Sequence, residues 1–332
     1  MAADGPSDAA PEVWRRSARA MGSPLLLQVE RTAPAAAVDA AWAAIVDEFE
    51  TTEQALSRFR ASSEVHRLRL DGGVAEHPTR RLVAALVAAD RARRLTGGRF
   101  DPRVLADLER LGSMPLPAPA DDRAPLAAGR PDPGAALLRR SGRRGRVETP
   151  RPVDFGGIGK GLALRWAVRR AERLLDGAAF LLDAGGDIVG RGAPDGAGWR
   201  IGIEDPAAAS ASEPAGARPP LAVVELPPSG CAIATSSIRR ARWVAGDGRP
   251  VHHLIDPRTG EPGGDGLAAV TVAGPDPAWA EIWTKSLFVA GSGGIAGLAR
   301  SRGLAAWWVA EGGGVEMTPA ARAMTIWVAG EA

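Results

Sequence analysis

The segment VDFGGIGKG, residues 153–161, places one acidic residue, one basic residue and four glycines in nine positions. A loop so poor in side chains lets backbone N–H groups and carbonyls approach a ligand closely. Lys160 stands where a helix is expected to begin, and unpaired N–H groups there favour an anion. A tight strand-to-helix turn with no ligand accounts for the same glycines. Four more polar clusters stand out: LSRFRASSE (56–64), TGGRFDP (96–102), ATSSIRRARWVAGDGRPVHHLIDPRTG (234–260) and AEIWTKSLFVAG (280–291). His252 and His253 offer imidazoles suited to proton transfer near neutral pH. They equally suit the polar face of a strand. Asp101-Pro102 and Asp256-Pro257 are good turn formers. Glu281 and Lys285, one helical turn apart, could be a solvated ion pair. Lys160 and Lys285 are the only lysines of the chain, although Lys and Arg together number 41.

The elements that must position these clusters are legible in outline. SPLLLQVE (23–30) reads as a strand. Apolar residues at helical spacing predict helices over about 36–57, 79–94 with Thr79 as N-cap, 160–176, and 276–291 with Asp276 as N-cap. AFLLDAGGDIVGRG (179–192) reads as strand, Gly-Gly turn, strand. Further strands fit 199–206, 221–226, 231–235, 267–273, 305–310 and 323–329. Strands come in pairs, without a strict βαβ rhythm. That favours an α+β fold with antiparallel sheets and packed helices over a doubly wound one. Residues 1–18 read as a flexible arm, followed by a single domain over 19–332. Pro- and Ala-rich stretches at about 113–135 and 206–220 read as variable loops.

Composition narrows the function classes. The chain has 332 residues, 45% hydrophobic and 24% charged, with a formal net charge of only +2. That is globular composition, and it gives no reason to expect a nucleic-acid partner. The single cysteine, Cys231, excludes an intrachain disulfide, and no C-x-x-C or H-E-x-x-H motif is present. No run of about 18 apolar residues suggests membrane insertion. The first residues have no apolar h-region and no lipobox-like cysteine, so a cytoplasmic location is expected.

Taken in order, the five clusters and the start MGSPLLLQV resemble the FAD:protein FMN transferase family, the ApbE-like flavin transferases. Its members show LSRF…S-E, TGGAFDP, VDLGGIAKGYAVD, GGD, ATSG…HHIIDPRTG and ADALATALFVLG segments. The resemblance runs from about residue 21 to 291. It implies a T-fold-like α+β architecture. It also implies an enzyme that uses FAD as substrate, with Mg²⁺, and moves FMN to a Thr or Ser hydroxyl of an acceptor protein, releasing AMP. The acceptor would carry a D-G-x-[ST]-G-A-T-like segment. By the same resemblance, Met21, Phe59, Arg99, Phe100, Asp101, Asp154, Lys160 and Ile255 would contact FAD. Phe59 replaces a frequent Tyr and keeps a stacking face. The Gly157 carbonyl, Glu281 and Thr284 would ligate the metal. His253, with Lys160, would carry catalysis, and His252 is the rival base.

Two departures from the family pattern are visible. The helix that usually carries Asp and, four residues on, Thr carries Glu281 and Lys285 here. An ammonium has no lone pair for a metal. YAVD is replaced by Leu162–Arg165, which removes an acidic residue. Two other functions therefore stand beside transfer: a metal-dependent FAD pyrophosphatase giving FMN and AMP, and a non-catalytic FAD-binding protein.

Overall fold

The computed structural model describes residues 12–113, 134–141, 145–206, 219–239 and 241–331. Its backbone is one eight-stranded sheet with β1 (Val13–Ala20), β2 (Ser23–Glu30), β3 (Phe180–Ala184), β4 (Ile188–Arg191), β5 (Cys231–Ser237), β6 (Leu267–Gly274), β7 (Ala305–Ala310) and β8 (Val315–Met317). The spatial order follows the chain order, and neighbouring strands pair antiparallel throughout. The fold is therefore α+β with antiparallel sheets, as the pairing of predicted strands implied.

Period-two alternation sends neighbouring residues to opposite faces. Leu25, Leu27, Val29, Phe180 and Leu182 pack on one side against α1 (Ala35–Leu56) and α3 (Gly159–Leu175). Leu181, Ile233 and Trp307 pack on the other side. There they meet a three-stranded sheet formed by Arg200–Ile203, Ala222–Glu225 and Thr325–Val328. Further along the helical face, α4 (Pro277–Val289) and α5 (Gly291–Ser301) cover β6 and β7 through Leu287, Phe288, Ile295 and Ala299. The helix α2 (Arg80–Leu95) joins a separate core with Phe100, Phe155 and Ile158.

Sequence periodicity placed these helices for a physical reason. In α1, Val38, Ala41, Ile45, Phe49, Thr52 and Leu56 recur every three or four residues and are buried. Thr79 caps α2 by accepting a hydrogen bond from the Leu82 N–H. Asp276 caps α4 by accepting from the Trp279 N–H at 3.1 Å, with Pro277 at the first helical position.

One expectation needs correction. Residues 13–18, read as part of a flexible arm, form most of β1, registered residue by residue against β2. An edge strand buries little, so its sequence VWRRSARA carries no apolar alternation. Trp14 ties it down: its indole N–H donates to the Ala33 carbonyl at 3.1 Å, and Arg31 lies over its ring. Residues 1–11 lie outside the described residues, as do 114–133 and 207–218 of the two predicted loops. Among the described residues no helix is long and apolar enough to cross a membrane.

The sheet leaves the site to its connections. The chain between β2 and β3 delivers residues 58–59, 99–113 and 153–161. The chain between β5 and β6 delivers 241–257, and that between β6 and β7 delivers α4.

Candidate active site

These three excursions enclose a cavity of about 520 Å³. Phe59, Phe100, Trp243, Leu254 and Ile255 give it apolar walls, and Arg58, Arg99, Asp154, His253 and Lys285 give it polar ones.

The glycine-rich segment forms its floor. Val153, Phe155 and Ile158 are buried in the α2 core and anchor the loop. The Asp154 N–H donates to the Pro102 carbonyl at 2.7 Å, which ties this loop to the 99–102 segment. The Asp154 carboxylate accepts from the Gly156 N–H and pairs with Arg58 at 3.3 Å. Gly157 is forced to be glycine by close approach: a Cβ there would lie 2.9 Å from the Phe100 ring and 3.0 Å from Lys285 Cδ. Gly161 is forced by the crossing of α3 and α4, where a Cβ would lie 2.5 Å from Ala278 Cα.

The walls are fixed by spent polar groups. Asp101 is buried, and its carboxylate accepts a forked pair of bonds from the Arg103 guanidinium, the shorter 2.6 Å. Its charge is thus committed to holding the wall. The Trp243 indole N–H donates to the Leu111 carbonyl at 2.6 Å and pins the 242–252 hairpin onto the 105–113 segment. Phe59 is 61% exposed at the rim, with the Arg58 guanidinium 4.3 Å over its ring.

The two histidines separate clearly. His253 lines the cavity, and its Nδ1 is buried with no hydrogen-bond partner. Burial, with Lys285 and His252 adding repulsion, pulls its pKa down to about 4. His252 packs edge-on against Phe288 at 5.8 Å, and its Nδ1 accepts from the Leu254 N–H. Burial, aided by Arg242, lowers its pKa to about 4 as well. Both imidazoles are neutral at pH 7, but His253 is the one at the cavity.

A charged cluster lies beside it. Lys160 is ion-paired with Asp187, whose other oxygen accepts from the Thr235 N–H at 3.3 Å. Burial disfavours the Lys160 ammonium, but Asp187, Glu281 and Asp183 outweigh it and raise the pKa. Glu281 is 1% exposed, so it is no solvated helix pair. One of its oxygens accepts from the Gly161 N–H at 2.8 Å, and the other faces Lys285 Nζ at 3.3 Å. Burial raises the Glu281 pKa against the pull of Lys285.

Of the expected FAD contacts, Phe59, Arg99, Phe100, Asp101, Asp154 and Ile255 line the cavity together with His253 and Gly157. Met21 instead lies at the β1–β2 turn, with its side chain near Gly159, packed on the α1 and α3 core. Lys160 is held by Asp187 behind the glycine loop. Sequence reading missed Arg58, Trp243, Asp187 and Ser236 as site residues. Arg58 and Asp187 stood inside the quoted LSRF and GGD segments, so their signal was present. Ser236 and Trp243 stood inside the 234–260 cluster, where nothing local marked them as site residues.

The donor set expected for Mg²⁺ does not fit a divalent cation. Thr284 is fully buried, bonded to the Ser236 hydroxyl at 2.6 Å and donating to the Glu281 carbonyl at 2.7 Å. Glu281 has both oxygens engaged, one by the Gly161 N–H and the other by the Lys285 ammonium. Among the described residues no cluster of three or more His, Cys, Asp or Glu side chains could hold a metal.

An antiparallel α+β sheet that places a cleft in its helix-bearing connections defines the class: the fold of the flavin transferases. The chain belongs to the ApbE family, whose model matches residues 21–308. It is similar to two FAD:protein FMN transferases of Klebsiella pneumoniae. One is 29% identical over 227 residues, covering 66% of this chain and 61% of that protein. The other is 28% identical over 284 residues, covering 83% and 82%. The chain thus spans less than two thirds of the first relative's length. The crystal structure of the ApbE protein of Thermotoga maritima matches with a TM-score of 0.78 at 24% identity, over 94% of this chain and 99% of that one, which shows the fold.

Proposed function

We propose that the protein moves the FMN part of FAD to a Thr or Ser hydroxyl of an acceptor protein. The observation that carries this reading is the neutral His253 imidazole, its Nδ1 without a hydrogen-bond partner, in a cavity with apolar and aromatic walls and one ammonium, Lys285. Aromatic and apolar walls suit a flavin or adenine ring. A neutral imidazole suits removal of a hydroxyl proton.

In the proposed step the acceptor oxygen attacks the phosphorus on the FMN side of the pyrophosphate. The bond from that phosphorus to the bridging oxygen breaks, and AMP leaves with the electron pair. The hydroxyl proton passes to His253. Phe59 and Trp243 take a ring system, and Arg99 supplies positive charge in the lining. Asp101 and Asp154 hold the walls through Arg103 and Arg58. Lys160 acts through Asp187 as a positioning residue. Mg²⁺, which the family resemblance implies, enters no step, because the donors are otherwise engaged.

The test is incubation of the purified chain with FAD and an acceptor bearing a D-G-x-[ST]-G-A-T-like segment. Covalent flavin on the acceptor with release of AMP is the expected outcome. Free FMN and AMP in equal amounts, with no labelled acceptor, would make the protein a pyrophosphatase. Unchanged FAD that nevertheless binds would make it a binding protein.

A further inference from the structure

We infer that the Lys285 ammonium serves as a built-in cation for the pyrophosphate, so that FAD binds and reacts without a divalent metal. The inference rests on the flavin-transferase reading above and deepens it. Its basis is where α4 puts this side chain. The Lys285 stem runs over Gly157, in the space that a Cβ would fill. Its side chain is 18% exposed and faces the same cavity as His253.

Its hydrogen bonding leaves it available. An ammonium has three donors. One meets Glu281 Oε1 at 3.3 Å and a second meets Ser236 Oγ at 3.5 Å. Both are long for charge-assisted bonds, which run ~2.7–2.9 Å at their best. A third donor remains for a phosphate oxygen in the cavity. Glu281 keeps the charge in place: it is held by the Gly161 N–H on one side and reaches Lys285 with the other.

The same geometry works against a second cation. A divalent ion bound to Glu281 at the usual ~2.1 Å would lie within about 5 Å of the ammonium. Like charges at that range repel strongly in a partly desolvated site. Thr284 cannot compensate, because its hydroxyl is buried beneath the cavity against Ser236. In the transfer step, negative charge grows on the departing AMP phosphate as the P–O bond breaks. A fixed ammonium stabilises that charge where a metal otherwise would. The proton still goes to His253, and no further reactant is required.

The test measures FAD binding by equilibrium titration, and AMP release separately, in EDTA and in Mg²⁺. Wild type, Lys285→Met, Lys285→Arg and the double variant Lys285→Thr/Glu281→Asp are compared, with thermal melting to show each is folded. Wild type is expected to bind FAD and release AMP in EDTA, with less than about two-fold gain from Mg²⁺. Lys285→Met should weaken FAD binding by ~10-fold or more, the loss expected for one charge-assisted contact. Lys285→Arg, which keeps the charge, should retain most of the affinity. The double variant should become Mg²⁺-dependent. Wild type that binds FAD only with Mg²⁺ overturns the inference. So does a folded Lys285→Met that binds FAD in EDTA as tightly as wild type. If Lys285→Met does not fold, loss of metal-free binding in Lys285→Arg comparable to that in the double variant overturns it. FAD bound in EDTA through Lys285 but never cleaved would sink the transferase reading and overturn the reaction half of the inference, while the cation's role in binding would stand.

Discussion

Replacing Gly161 with Ala tests how tightly the site depends on one helix crossing. A Cβ at this position would lie 2.5 Å from Ala278 Cα, 2.7 Å from the Pro277 carbonyl oxygen and 2.8 Å from the Ala278 nitrogen. All three are backbone atoms, so no side-chain rotation relieves the clash. Ordinary contact begins near 3.4 Å, and α3 and α4 must part by about 1 Å to reach it. Overpacking of this kind costs ~1–3 kcal/mol. In a chain of 332 residues that corresponds to a fall in Tm of roughly 1–4 °C. The chemistry should suffer more, because α4 carries Glu281 and Lys285, and a displacement near 1 Å can cost on the order of 10²-fold in rate. The Gly161 N–H bond to Glu281 would lengthen at the same time. Thermal unfolding and FAD-dependent AMP release of Gly161→Ala read out both effects. A variant that melts with wild type and turns over at the wild-type rate would refute the close-crossing argument.

Three other outcomes follow from the geometry. His253→Ala should slow transfer by ~10²–10⁴-fold while FAD affinity changes little; His252→Ala should leave the rate near wild type, and the reverse pattern would move the base to His252. His253 has a folded pKa of about 4 against 6.5 unfolded, so the unfolded chain binds the extra proton in that window and stability falls as pH drops from 6.5 toward 4, by up to about 3 kcal/mol. Denaturant unfolding at pH 7 and pH 4.5 measures this, and the His253→Ala variant should lose part of the pH dependence. Lys160→Met should destabilise by ~3–5 kcal/mol, because it strands the Asp187 carboxylate, 3% exposed, without its partner. Adding Asp187→Asn should restore much of that loss; a single variant with the wild-type unfolding midpoint would show that the pair is not structural.

The long periodic elements were readable because their burial is one-sided. β2 falls on the predicted residues, and α1, α2 and α3 fall within one residue of the predicted bounds. What escaped was set by tertiary context. β1 is an edge strand with little to bury. In α5, Gly291, Gly293, Gly294 and Gly297 argue against a helix, yet Ile295 and Ala299 gain enough by packing on β7 to hold it. The short helix Glu64–Leu70 is two turns long and gives too little pattern to see. Within the site, residue types pointed to the right loops but not to partners. Nothing local to TGGRFDP indicates that Asp101 is committed to Arg103, and nothing in GGIGKG indicates that Lys160 reaches Asp187, 27 positions on. The choice between His252 and His253 also needed the cavity, since both sit in one strand-like run.

The chain's two lysines give the site a chemical address. Lys160 and Lys285 are the only ones among 332 residues, and both belong to the charged cluster beside His253, with side chains 27% and 18% exposed. Apart from a terminal amine, the arginine-rich surface offers an acylating reagent nothing to react with. Amine labelling of the folded protein therefore reports chiefly on Lys285 in the cleft, because Asp187 keeps Lys160 protonated behind the glycine loop. A ligand seated there would shield it, and the modified peptide would report occupancy in a mass spectrum without any assay of turnover. After unfolding, a lysine-specific protease would cut the chain into only three pieces, one boundary at the glycine loop and the other on α4.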